Sequence, residues 1–201
     1  MKPAGIIGGG EATPYSIPWQ VALVRPGSGM PICGGTLISP RHVLTAAHCT
    51  GQNNGDWDIM VGEHSASDTS DGTRHTKCRH KNHPNYQQPA KYFENNDFAI
   101  VHLNHPVSFG TRAVPACLPT LKLGGDFLAN KTLTVSGWGT TASGQSAYPD
   151  VLHKVDVPGV TNAVCSQKYG SGKISDQMLC AGDVVKGGID ACQLDSGGKL
   201  Y

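Results

Sequence analysis

GTLISPRHVLTAAHC, residues 35–49, holds two short runs rich in Leu, Ile, Val and Thr on either side of Ser-Pro-Arg. Serine and proline favour a turn, and β-branched residues flanking a turn favour strands over helix. The same pattern recurs in WQVALV (19–24), DFAIVHL (97–103), KTLTVSG (131–137) and VLHKVDV (151–157), with Gly, Pro, Asn, Asp and Ser between the runs. The expectation is an all-β protein of antiparallel sheet closed by loops. NAVCSQKYG (162–170) is the best helix candidate, short and ended by a glycine. VPACLPTLKLGG (114–125) is a Pro/Gly-rich passage between two groups of strands and reads as the connection between two β units.

Composition narrows the function classes. With 201 residues and 38% hydrophobic content the chain can bury one or two cores. Sixteen basic against fifteen acidic side chains, with no basic run, offer no footprint for nucleic acid or an anionic membrane. No stretch approaches the roughly 18 apolar residues of a spanning helix. MKPAG (1–5) is too short and polar for a signal peptide and reads as a leader or propeptide remnant. Seven cysteines alongside 26 glycines and 13 prolines favour an oxidising compartment, and their spacings suit local staples better than paired metal knuckles. A protein of this kind is expected to be secreted.

The closing stretch, DACQLDSGGKLY (190–201), places Ser196 among small residues, where it is either a turn residue or a nucleophile. His48 stands directly before Cys49, and a Cys33–Cys49 disulfide would hold it firmly, adding roughly 3 kcal/mol on a chain-entropy estimate. Asp97 stands at the mouth of an apolar strand, where a carboxylate must be exposed or hydrogen-bonded; an imidazole N–H is a suitable partner.

TAAHC, NNDFAIVHL and DSGG, in the order His, Asp, Ser, resemble the chymotrypsin/trypsin family of serine endopeptidases. IIGG (6–9), PWQVAL, CGGTLIS, SGWG (136–139) and MLCAG (178–182) extend the resemblance from residue 6 to the last residue. It implies two six-stranded antiparallel β-barrels, with residues 6–113 forming the first, 114–125 the connection and 126–201 a truncated second barrel. It also implies a triad of Ser196 as nucleophile, His48 as general base and Asp97 as the group that orients the imidazole. The backbone N–H groups of Leu194 and Ser196 would form the oxyanion hole, and Asp190 would lie at the base of the specificity pocket and select Arg or Lys. A free α-amino group at Ile6 would pair with Asp195 on activation, so a chain retaining MKPAG would be a zymogen.

The resemblance further implies protein or peptide substrates, protein protease inhibitors as partners, a monomer, and no cofactor requirement. It pairs Cys165 with Cys180, and Cys192 with a cysteine beyond residue 201. Cys78 and Cys117 are open: they pair with each other, bridge to another segment, or are free. In GEHSASDTSDG (62–72), Glu63 with Asp68 and Asp71 offers oxygen donors for calcium. His75, Cys78, His80 and His83 in RHTKCRHKNHP read as a solvated strand and turn, because their spacing scatters them over both strand faces. Trp19 and Trp138 read as core and loop anchors. Two departures stand out: Leu194 and Lys199 occupy positions where the family has Gly and Pro, and a leucine resists the backbone angles that glycine accepts. That leaves a second class of function, a protease-fold homologue that binds partners with an impaired oxyanion hole.

Overall fold

Gln20–Val24 (QVALV) is buried at every position, because its alternate residues serve two cores. Val21 and Leu23 point into one apolar cluster, and Ala22 and Val24 into another. A computed structural model describes residues 9–51, 55–68, 70–86, 95–119, 125–139, 149–176 and 178–183.

Among the described residues ten strands form in chain order: β1 Gly10–Glu11, β2 Gln20–Val24, β3 Pro31–Ser39, β4 His42–Thr45, β5 Trp57–Val61, β6 Thr73–Asn82, β7 Ala99–His102, β8 Thr132–Gly137, β9 His153–Val160 and β10 Cys180–Ala181. A one-turn helix α1 (Ala47–Thr50) follows β4, a 3-10 turn spans Gly125–Leu128, and helix α2 (Asn162–Tyr169) follows β9. Strands β2 to β7 close into a six-stranded antiparallel barrel in the order β2-β3-β4-β7-β6-β5. Closure leaves no unpaired strand edge. Val21, Leu23, Leu37, Val43, Ile59 and Val101 fill its interior and are fully buried. Gly35 lies on β3 because a Cβ there would come within 2.8–3.0 Å of Val43, Val21 and Leu23.

The second unit is a four-stranded sheet in which β9 pairs with β1, β8 and β10. Val135, Val155, Val157 and Leu133 make its core. Thr161 caps α2 by accepting from the Val164 N–H, and a Cys165–Cys180 disulfide ties α2 to β10. Trp138 is buried where the two units meet and donates its indole N–H to the His64 carbonyl, while Ser136 donates to Gln20 across the same junction. Trp19 packs, partly buried, against both the barrel interior and that junction. The chain is thus mostly β, with one closed barrel and a second sheet that β1 joins from the N-terminal side.

Candidate active site

Antiparallel pairing of β4 with β7 sets the site. Thr45 pairs with Ala99, so the segment leaving β4 and the segment entering β7 lie side by side at one end of the barrel. The first carries α1 and His48; the second carries Asp97. Asp97 binds His48 at two points: its Oδ2 lies 2.6 Å from imidazole Nδ1, and its Oδ1 accepts the His48 backbone N–H at 2.8 Å. A carboxylate on Nδ1 places the proton there and leaves Nε2 as the base, the tautomer that proton abstraction needs. The His48 side chain is 38% exposed and that of Asp97 22%, so the pair sits at the surface with the ring reachable.

Each partner is fixed by its own neighbours. The Cys33–Cys49 disulfide anchors α1 to β3 immediately after His48. Thr50 donates to the Asn82 side chain, whose amide donates in turn to the Gly51 carbonyl, clasping α1 to the end of β6. On the other side Asn96 adopts a left-handed conformation (φ 57°), one that asparagine tolerates better than most residues, and its amide donates to the Asn85 carbonyl. Ser175, from the second unit, donates to Asn95. The positioning residues Asn82, Asn96 and Ser175 carry no sequence signal that marks them, because each acts through a contact between distant segments.

Ile6, Asp190, Cys192, Leu194, Asp195, Ser196 and Lys199 lie outside the described residues, as does the leader 1–5. Of the expected catalytic set, the structure therefore brings together His48 and Asp97.

The acidic loop behind the barrel has its own wiring. Asp71 accepts the backbone N–H groups of His64 and Ser65 and the Tyr15 hydroxyl, and Arg112 lies beside it. Burial acts to raise the Asp71 pKa, but the Tyr15 hydroxyl, these two amides and Arg112 together hold the carboxyl below its usual range. Glu63 is 8% exposed and lines a cavity of about 410 Å³ with Arg74, Met60 and Trp138. Burial, and then repulsion from Asp71 and Asp68, push its carboxyl up to about 7. A calcium ion needs several converging, ionised oxygens. Asp71 directs its oxygens to the Tyr15 hydroxyl and the His64 and Ser65 N–H groups, and Asp68 accepts from Ser70, so Glu63, Asp68 and Asp71 do not bring three carboxylate oxygens together in this structure. Among the described residues the one group of three metal-type side chains that converges is Cys33, His48 and Cys49, whose two sulfurs form the disulfide. His75 and Cys78 are buried on β6 while His80 and His83 are partly exposed, so that run does not gather into a cluster. Cys78 is fully buried, its thiol pushed up to about 11 by desolvation, whereas Cys117 is exposed; no disulfide joins them.

The Trypsin family model matches residues 6–201. A venom serine protease of Polistes dominula is 36% identical over 99% of this chain and 70% of its own length. The clotting factor G beta subunit of Tachypleus tridentatus is 33% identical over 97% of this chain, which spans 65% of that protein. Among solved structures, neuropsin, a serine protease expressed in the limbic system of mouse brain, aligns with a TM-score of 0.82 at 33% identity, covering 98% of this chain and 82% of that one. Together with the closed barrel and the His48–Asp97 pair, these matches show that the chain belongs to the trypsin family of serine proteases.

Proposed function

We propose that the protein is a secreted endopeptidase that hydrolyses peptide bonds after Arg or Lys through a covalent acyl-enzyme. The observation that carries this reading is the two-point contact of Asp97 with His48. In the proposed reaction Ser196 Oγ adds to the scissile carbonyl carbon as its proton passes to His48 Nε2. Asp97 stabilises the imidazolium that results. The oxyanion accepts hydrogen bonds from the backbone N–H groups of Leu194 and Ser196. His48 then protonates the leaving amine, the C–N bond breaks, and water, deprotonated by the same imidazole, releases the acid product and regenerates Ser196. Side chains and backbone N–H groups supply this chemistry, with no cofactor.

Asp190 directs cleavage to basic residues by a charge-assisted hydrogen bond. Activation frees the Ile6 amine to pair with Asp195. Two disulfides support an extracellular setting, and two of the relatives are named for venom and clotting. The partners proposed are protein or peptide substrates and protein inhibitors, met as a monomer.

The test is labelling of the Ile6 form by a fluorophosphonate, with kcat/KM on matched peptides carrying Arg, Lys, Phe or Leu before the bond. Labelling that disappears in Ser196→Ala, with cleavage after Arg and Lys far faster than after Phe, is expected. Preference for Phe sinks the Asp190 assignment. Absence of labelling in the activated chain sinks the endopeptidase and favours the second reading, a homologue impaired at Leu194, where the family has glycine. In that case Leu194→Gly restores labelling.

A further inference from the structure

At the far end of the β4–β7 ribbon from Asp97, four side chains stand abreast across four strands of the barrel. Ser39 on β3 pairs with His42 on β4, His42 with His102 on β7, and His102 with Arg79 on β6. Cross-strand partners project to the same face, and here that is the outside of the barrel: His42 is half-buried while His102 and Arg79 are exposed. The two imidazole centres are 4.9 Å apart with their planes inclined at 75°. His42 Nδ1 lies 2.7 Å from Ser39 Oγ. With that hydroxyl accepting from Nδ1–H, Nε2 of His42 keeps its lone pair for another partner. A ligating histidine commonly has this arrangement, its second nitrogen held by a hydrogen bond that fixes tautomer and ring orientation.

We propose that His42 and His102 form a surface site for one imidazole-seeking transition-metal dication, with Zn2+ as the probe. Metal–nitrogen bonds of about 2.0–2.1 Å at a near-tetrahedral angle place two imidazole centres about 5 Å apart, which the observed spacing matches. His102 is exposed, so its ring is free to turn a nitrogen toward the ion, and water completes the coordination. The run of histidines in β6 hides this pair from sequence inspection, because the two ligands come from different strands and neither belongs to that run. The site is separate from the acidic loop and from His48. Its location gives it a mechanical meaning: β4 leads through Ala46 into α1, and β7 starts two residues after Asp97, so a bound ion would clip together the two strands that deliver the dyad. Arg79 cannot ligate and repels a dication, which limits affinity and supplies a control.

Calorimetric titration of Zn2+ into the purified full chain, in the Ser196→Ala background to prevent self-cleavage, tests the assignment. Wild-type positions 42 and 102 are expected to give one site that is about tenfold or more tighter than in His42→Gln or His102→Gln, because each single change removes the chelate. The loss in the double variant should fall well short of the sum of the two single losses, since either change alone breaks the chelate. Arg79→Ala should tighten binding several-fold. Melting in EDTA, equal across the set, certifies that the variants fold, and Zn2+ should raise the melting temperature only where both histidines are present. Equal affinity in the wild type and both single variants overturns the proposal, as does stepwise additive loss in the double variant.

Discussion

Replacing Glu63 with glutamine should make the protein more stable, and only above mildly acidic pH. Glu63 is nearly fully buried, none of its oxygens takes part in a hydrogen bond within the described chain, and it packs over Gly72 beside a cavity lined by Met60 and Trp138. Burial, aided by Asp71 and Asp68, raises its pKa from 4.5 to about 7. A carboxyl whose folded pKa is raised binds its proton more tightly when folded. Its favourable contribution is therefore complete below about pH 4.5 and is lost progressively up to about pH 7. The full shift corresponds to about 3 kcal/mol. The cavity admits water and Arg74 stands nearby, so screening reduces the expected effect to about 1.5 kcal/mol. Glutamine keeps the shape and carries no charge. Urea denaturation of Glu63→Gln and the parent, near pH 5 and near pH 8, should give a small difference in acid and about 1.5 kcal/mol in favour of the variant in base. Asp71 and Tyr15 are present in both proteins and cancel. An equal difference at both pH values, or a variant less stable near pH 8, refutes the reasoning.

Asp71→Ala should cost about 2–4 kcal/mol in the same assay near pH 7, since it strands the His64 and Ser65 N–H groups and the Tyr15 hydroxyl together. Because the Asp71 pKa is lowered, that cost should shrink as the pH falls through its folded value. Cys33→Ala with Cys49→Ala should remove about 3 kcal/mol of stability by freeing a loop of separation 16, and should reduce kcat more than it raises KM, because α1 carries His48. Gly159→Ala should destabilise by about 2–4 kcal/mol, since a Cβ there would overlap the Leu128 carbonyl oxygen; a change below about 0.5 kcal/mol in thermal unfolding would show that the 3-10 turn gives way freely.

The barrel was readable where strands are apolar, as in β2, β4 and β7, and α2 came out within one residue of its expected span. β5 was not anticipated, because Asp58 interrupts its apolar run; the carboxylate is tolerated there by pairing with Arg74 at 3.0 Å and with the Lys77 N–H. In β6 the buried positions His75 and Cys78 are three apart, where a regular strand would bury every second residue. Lys77 has a positive φ of 55° and the pairing with β5 shifts register near Trp57, so the alternation that marks a strand in sequence is broken by a bulge. α1 is a single turn, too short for any helical period to show. At the site, the motifs around His48 and Asp97 marked the pair. Asn82, Asn96 and Ser175 stayed hidden because their role depends on contacts that exist only once distant segments meet.

All six strands of the closed barrel lie between Gln20 and His102, so its ladders can be completed before the rest of the chain has left a ribosome. Domains generally fold as units, N-terminal first, during synthesis. The imidazole and its carboxylate would then be assembled and held while the segment with the proposed nucleophile is still being made. On that assignment the order of translation is itself a safeguard: a growing chain carries a finished base with nothing to activate until the segment holding Ser196 has been made.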